Sequence, residues 1–186
     1  MAAKESKLLV KITLTALFAA FTAAGAFIAV PIGPVPIVLQ NLFALLSGLI
    51  LGPFLGSAAV GLYLLAGALG LPVFAGGSGG IARFAGPTGG FLVGYLLAAL
   101  ISGIIAGKPG ATIPRLRLIA AVALGFIIIY VPGVVWLKIS RSLDWAKALL
   151  AGFVPFIPGD ILKGIAAVLI APRLRRTAAD FLDRKK

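Results

Sequence analysis

Six apolar segments, each about as long as a bilayer is thick, recur along this chain of 186 residues. A helix needs roughly 20 apolar residues to cross about 30 Å of hydrocarbon. Glycine, proline and charged residues separate the segments, whose approximate ranges are 8–30, 37–51, 53–71, 88–107, 116–137 and 158–177. The pattern predicts an all-α, polytopic membrane protein with six transmembrane helices and a single membrane domain over residues 1–186.

The charge content supports the same class of protein. Charged residues make up 12% of the chain and hydrophobic residues 61%, whereas about a quarter of a soluble domain is charged. The first apolar segment is one of a series along the chain. We therefore interpret it as a first transmembrane helix and not as a cleaved signal peptide.

The distribution of Lys and Arg predicts the orientation. The formal net charge is +12, but the cations lie in short groups between apolar segments, which does not indicate a nucleic-acid surface. With a cytoplasmic N-terminus, the inner side collects Lys4, Lys7, Lys11, Lys108, Arg115, Arg117, Arg173, Arg175, Arg176, Arg184, Lys185 and Lys186. The outer side keeps only Arg83, Lys138, Arg141 and Lys147. The positive-inside rule then predicts that both termini are cytoplasmic.

The stretch of chain that leads into the last apolar segment is too long to join it as one helix. A continuous helix from Asp144 to Pro172 would extend roughly 43 Å, well beyond the hydrocarbon thickness. Pro155 and Pro158 are the natural break, and Pro158 suits a first helical position, where its missing N–H costs nothing. We expect a short outer or partly inserted helix over 143–154 and a final span that starts near Pro158.

Asp160 and Lys163 place two opposite charges inside that final span. They lie one turn apart on one helix face, and the helix N-terminus favours the ionised carboxylate. Charged residues in membrane spans are costly and usually face a cavity, so we favour ligand binding. A structural ion pair that locks two helices is the alternative.

Two loops on the predicted outer side are rich in Gly and Pro. The proline-rich loop (30–41) reads VPIGPVPIVLQN, and the glycine-rich loop (71–90) reads LPVFAGGSGGIARFAGPTGG. Glycines such as Gly79 allow close backbone approach and positive φ, which suits a lid over a ligand. A flexible connection explains the same composition.

Three polar side chains in these loops are further candidates. Gln40 and Asn41 start the second span at its outer end, where they either bind a ligand or satisfy a neighbouring loop. Arg83 is the one cation of the glycine-rich loop. It either meets a ligand carboxylate or points into solvent, and we favour the solvated position.

The first span carries small residues at four-residue spacing, namely Ala16, Ala20 and Ala24. Small residues at i and i+4 give a smooth surface for close helix approach. Packing within the bundle and docking against another membrane subunit both fit this pattern.

The residue types exclude several enzyme classes. Cys and His are absent from the chain, which removes disulfides and the commonest metal ligands. Asp160 is the only acidic residue placed within a span, so an aspartyl dyad cannot form. A nucleotide-binding P-loop pattern is also missing. We therefore predict a protein that is not an enzyme and uses no cofactor or metal.

Four motifs together resemble the BioY family, the biotin-specific substrate-binding (S) components of energy-coupling factor (ECF) vitamin transporters. They are PVPIVLQN at 34–41, LLAGALGLPVFAGGSGG at 64–80, GPTGGFLVGY at 86–95 and FIPGDILKG at 156–164. The resemblance covers nearly the whole chain. It implies a six-helix S component in a prokaryotic plasma membrane that captures biotin from outside and delivers it to a transmembrane T subunit with two cytoplasmic ATPases.

The resemblance also implies roles for particular residues. Asp160 and Lys163 match the family positions that contact the ureido ring, and Ala16 and Ala20 fit the small-residue face that meets the T subunit. Ser78 takes the central position of the glycine loop that closes over the ligand. Asn or Arg is more usual there, and the Ser78 hydroxyl reaches less far.

The chemistry of biotin agrees with such a site. A ureido group offers two N–H donors and one carbonyl acceptor, which a carboxylate and an ammonium would satisfy. We expect Val35, Phe84 and Tyr95 to surround the thioether ring and the aliphatic chain. The alternatives are an S component for a different vitamin and a solitary carrier with a structural Asp–Lys pair.

Overall fold

The computed structural model describes residues 2–31 and 33–183 and confirms an all-α fold. Its helices are α1 (Ala2–Phe27), α2 (Gln40–Ala68), α3 (Ala82–Ala85), α4 (Gly89–Ala106), α5 (Arg115–Ser140), α6 (Trp145–Gly152) and α7 (Ile157–Asp183), with a 3-10 turn at Val154–Phe156. Two short strands, β1 (Ala29–Val30) and β2 (Ile37–Val38), pair antiparallel between α1 and α2. Five segments of the described chain are long and apolar enough to cross a membrane.

Helix α2 is folded back on itself. Gly52 has non-helical dihedrals (φ 81°, ψ 179°) and is followed by Pro53. A Cβ at Gly56 would lie 2.6 Å from Gly48 Cα, and the Gln40 amide donates to the Tyr63 hydroxyl at 2.6 Å. These contacts bring the arm 40–51 against the arm 53–68. The predicted spans 37–51 and 53–71 thus meet in one hairpin, which makes six helical crossings.

Glycines allow the central helices to approach closely. A Cβ at Gly94 would lie 2.7 Å from the Ile129 carbonyl oxygen, and one at Gly103 would lie 2.6 Å from the Pro53 nitrogen. Backbones that meet without an intervening Cβ gain dispersion contacts, which largely drive helix association in lipid. Helices α2, α4 and α5 therefore form the packed centre of the bundle, and α1 packs against α2.

The connections gather at two ends of the bundle. At the loop end lie the segments 28–31, 33–39, 69–88 and 141–156, and at the turn end lie the Gly52 turn and the segment 107–114. Near the turn end, Phe181 of α7 and Glu5 of α1 line one groove, so both ends of the described chain lie together. The cytoplasmic location of this end stays a prediction from the cations.

The structure breaks the last apolar segment before α7, as the two prolines predict. Helix α6 is capped by the Asp144 carboxylate, which accepts the N–H of Lys147 at 2.8 Å. This hydrogen bond holds the pKa of Asp144 below its usual value. After the 3-10 turn, α7 begins at Ile157 with Pro158 in its first turn.

Arg175 ties α7 to the turn end. It is 1% exposed, and its guanidinium donates to the carbonyls of Leu49, Ala106 (2.9 Å), Gly107 (3.4 Å) and Lys108 (2.7 Å). These carbonyls lie at the C-terminal ends of the 40–51 arm and of α4, where helices leave C=O groups unpaired and carry partial negative charge. A cation counted on the inner surface is therefore a buried clamp between three helices.

Replacing Arg175 with Met should destabilise the protein. The change leaves several buried carbonyls unpaired, which costs roughly 3 kcal/mol or more and corresponds to a fall in Tm of about 6 to 12 °C for a chain of this size. Thermal unfolding in detergent measures the shift. Arg176→Met removes the exposed neighbouring cation and should leave Tm unchanged. Equal Tm values for both variants would contradict the clamp.

The predicted orientation can be tested by cysteine labelling, since the chain has no native Cys. Ala82 at the loop end and Thr112 at the turn end are both exposed. A membrane-impermeant maleimide added to whole cells should label Ala82→Cys, while Thr112→Cys should react only after permeabilisation. The reverse pattern would show that the termini are outside.

Candidate functional site

Asp160 and Lys163 form a buried ion pair at the loop end of α7. Each is 7% exposed, and Lys163 Nζ lies 2.9 Å from Asp160 Oδ1. The i,i+3 spacing places both side chains on one face of the helix. That face points into the bundle, as the charge pattern predicts.

Three other elements supply the remaining partners of the pair. Lys163 Nζ donates to the Val38 carbonyl at 2.7 Å and to Asn41 Oδ1 at 3.0 Å. Asn41 Nδ2 donates to Asp160 Oδ1 at 3.0 Å. The Tyr130 hydroxyl donates to Asp160 Oδ2. Strand β2, helix α2 and helix α5 thus meet α7 through charge-assisted hydrogen bonds.

A cavity of about 350 Å³ lies at the loop end, within the size range of small-molecule sites. It is enclosed by the proline-rich loop, the glycine-rich loop, the start of α4 and the end of α5. The sequence candidates among its lining residues are Val35, Gln40, Ser78, Arg83 and Tyr95. Phe74, Phe91 and Leu92 add apolar walls, and Thr88 and Arg141 add polar groups.

The glycine-rich loop is a compact structure. Phe74 and Ser78 exchange two backbone hydrogen bonds of 2.8 and 3.2 Å, and Gly76 and Gly77 between them have φ near +70° (73° and 67°). The Ser78 hydroxyl donates to the Ala75 carbonyl at 2.9 Å, so it is engaged within the loop. Positive φ explains why glycine occupies these positions.

Two sequence candidates in this loop are not among the residues that line the cavity. Gly79 packs against the Leu71 carbonyl so closely that a Cβ would overlap it. Phe84 contacts Phe74 edge to face, with ring centroids 5.8 Å apart. Both residues shape the loop from behind the wall of the cavity.

The charged pair lies one layer behind the cavity. Neither Asp160 nor Lys163 lines it, but Val38, whose carbonyl accepts from Lys163, does so. Gln40 also lines it and precedes Asn41. On its other side, Asp160 borders an open groove of about 690 Å³ between α5 and α7, lined almost wholly by apolar side chains. The pair therefore separates a polar cavity from an apolar groove.

Sequence reasoning predicted Tyr95 but missed the other two tyrosines of this region. Tyr130 binds Asp160, and Tyr63 accepts from Gln40. Each places a hydroxyl group within an apolar span, and a buried tyrosine hydroxyl usually has a polar partner. This feature of the sequence could have marked both residues as candidates. Their partners depend on helix packing, which the sequence pattern does not give.

Comparison with known proteins gives the family of the chain. The BioY family model matches residues 2–180. The chain belongs to the BioY family. It is 45% identical to the "Probable biotin transporter BioY" of Pyrococcus horikoshii over 89% of this chain and 96% of the relative. It is 43% identical to the "Biotin transporter BioY" of Thermotoga maritima over 86% of this chain and 92% of the relative.

A solved structure shares the fold of this BioY chain. It is described as the S-component for biotin from an ECF-type ABC transporter, and it superposes with a TM-score of 0.80 at 34% identity. The alignment covers 89% of this chain and 90% of the other. The BioY chain therefore has the fold of an S component over nearly its full length.

The small-residue face of this BioY chain is exposed. Ala16 and Ala20 lie on the outward side of α1, whereas Ala19 and Phe18 between them are buried against the bundle. Packing within the bundle therefore uses other residues of α1. The exposed face remains a candidate for contact with another subunit.

Proposed function

We propose that this chain captures biotin at the loop end and delivers it to an ATP-driven transport module. The observation that carries the proposal is the Asn41 carboxamide, which bridges the charged pair through its N–H and its oxygen. One amide thus satisfies a carboxylate and an ammonium together. A ureido group presents the same chemistry, with two N–H donors and one carbonyl acceptor, except that its two N–H groups lie on separate nitrogens.

Biotin binding would proceed by exchange of partners at the pair. In the structure, the Asp160 carboxylate accepts hydrogen bonds from Asn41 and Tyr130. The two ureido N–H groups would replace donors of this kind at the carboxylate. Lys163 now donates to the Val38 carbonyl, and the ureido carbonyl would accept in its place. The exchange keeps both charges paired, which avoids the large cost of an unpaired buried ion.

The cavity supplies the rest of the site. The Phe74, Phe91 and Leu92 side chains would bury the thioether ring and the aliphatic chain, at about 25 cal/mol for each Å² of apolar surface removed from water. Val35 and Tyr95 complete these walls. The glycine-rich loop with Ser78 would exclude water and so strengthen the polar contacts beneath it.

A structural role for the pair is the second candidate. Asp160 and Lys163 hold three other elements, which a staple between helices would also do. If the pair is structural, the chain could instead be an S component for a different vitamin or a carrier that works alone. Biotin is favoured because the relatives named above are named as a probable biotin transporter and a biotin transporter.

Asp160→Asn should weaken biotin binding by about 3 kcal/mol, more than a hundredfold in Kd, because it removes the charged acceptor of the ureido N–H groups. Calorimetry on the purified chain measures this, with thiamine and riboflavin as competing ligands. Asp144→Asn removes an exposed carboxylate at the same end and should leave Kd unchanged. If another vitamin bound tightly and biotin did not, the assignment of biotin as the ligand would be wrong.

The double variant Asp160→Asn, Lys163→Met separates binding from the staple, because it removes both charges together. It should regain much of the Tm that Asp160→Asn loses, since no unpaired buried charge remains, yet its biotin binding should stay weak. If the double variant bound biotin as tightly as the wild type, the pair would have only a structural role.

We also propose that Ala16 and Ala20 form the docking face for the transmembrane T subunit. Ala20→Trp should abolish co-purification of the T subunit and the ATPases while biotin binding stays intact, because a large side chain blocks close helix approach. Ala58→Trp makes the same change at an exposed site on α2 and should leave the complex intact. Equal recovery of the complex with both variants would rule out this face.

A further inference from the structure

Among the residues that the structure describes, two cations and no acidic residue line the cavity at the loop end. Arg83 lies on α3 in the glycine-rich loop, and Arg141 follows the last residue of α5. Among residues 2–31 and 33–183, neither guanidinium makes an ion pair or a side-chain hydrogen bond. Asp144, the acid closest to Arg141 in sequence, is engaged by the Lys147 side chain at 3.1 Å and by its N–H. Both guanidinium groups are therefore free to bind an anion in the cavity.

Arg141 lies at the rim of this cavity, far from the charged pair. Tyr130, which binds Asp160, lies within α5, and Arg141 follows the end of that helix. Arg141 is therefore displaced from Tyr130 by roughly 16 Å along the axis of α5. Helix α7 begins only one turn beyond Asp160, at Ile157. The outer part of α5 therefore extends past the start of α7, and it ends above the pair at the mouth of the cavity.

The rim end of α5 is held rigidly. Trp136 Nε1 donates to the Gly86 carbonyl at 2.9 Å, and a Cβ at Gly90 would lie 2.5 Å from the Trp136 Cβ. Helix α6 returns beside it, with Gly152 facing Leu137. These contacts fix the backbone that leads to Arg141 at the end of α5.

We propose that Arg141 binds the carboxylate of the ligand and so makes the site specific for the free acid. This inference rests on the proposed function, since the polar head would lie at Asp160 and Lys163 and the acid chain would extend from there toward the rim. A guanidinium pairs with a carboxylate through two parallel hydrogen bonds. Amide-linked forms of the same ligand lack that charge and lose the pairing.

The test compares two probes, biotin and its uncharged primary amide. The wild type should bind biotin roughly tenfold to a hundredfold more tightly than the amide. Arg141→Gln should weaken biotin by the same factor and leave the affinity for the amide unchanged. Arg141→Lys keeps the charge and should recover part of the loss.

Lys138→Gln is the matched control for charge. Lys138 lies over the Trp145 ring at 5.2 Å and does not line the cavity, so its loss changes the net charge equally at the same end of the protein. It should leave both affinities unchanged. If the two Gln variants weakened biotin binding equally, Arg141 would act only through its long-range charge, and the inference would be wrong.

Other results separate this inference from the proposed function. If the wild type binds biotin and Arg141→Gln either changes nothing or weakens biotin and amide equally, Arg141 does not recognise the acid, although biotin capture stands. If the wild type binds neither probe, biotin capture itself fails and the role of Arg141 fails with it. Tm of each variant checks that the fold is intact.

Discussion

The ion pair between Asp160 and Lys163 is the interaction on which the loop end depends. Moving either charge into a low-dielectric interior costs several kcal/mol, and their attraction offsets this only when further hydrogen bonds complete the site. The Val38 carbonyl, Asn41 and Tyr130 supply these bonds. The pair thereby requires β2, α2 and α5 to meet α7 at one point, next to the cavity.

Much of this architecture could be predicted from the sequence. Apolar segment lengths gave the helices, Pro155 and Pro158 gave the break before α7, and the i,i+3 spacing gave the contact between Asp160 and Lys163, because all of these are local properties of the chain. Tyr130 could not be placed beside Asp160, since that contact depends on how α5 packs on α7. Arg175 was counted as an inner surface cation, because charge alone does not reveal the carbonyls that bury it.

Helix α7 is fixed by buried charges at both of its ends. Arg175 holds carbonyls of α4 and of the 40–51 arm at the turn end, and the Asp160 pair holds α2 and α5 at the loop end. Between these points α7 borders the open groove along α5 and packs less densely than the central helices. A change of partners at Asp160 therefore acts on a helix whose other end is anchored, so the loop end is the part that can adjust.

The proposed exchange of partners at the pair would also determine where the binding affinity originates. If a ureido group replaces the Asn41 amide and the Val38 carbonyl, similar charge-assisted bonds are broken and formed, so the head group contributes selectivity more than net free energy. A ligand without that group cannot satisfy both charges and leaves Asn41 in place. The favourable free energy must then come from apolar burial against Phe74, Phe91 and Leu92 and from the pairing of the acid with Arg141 at the rim. In the proposed complex, the head group would select the vitamin, and the tail would supply most of the net binding free energy.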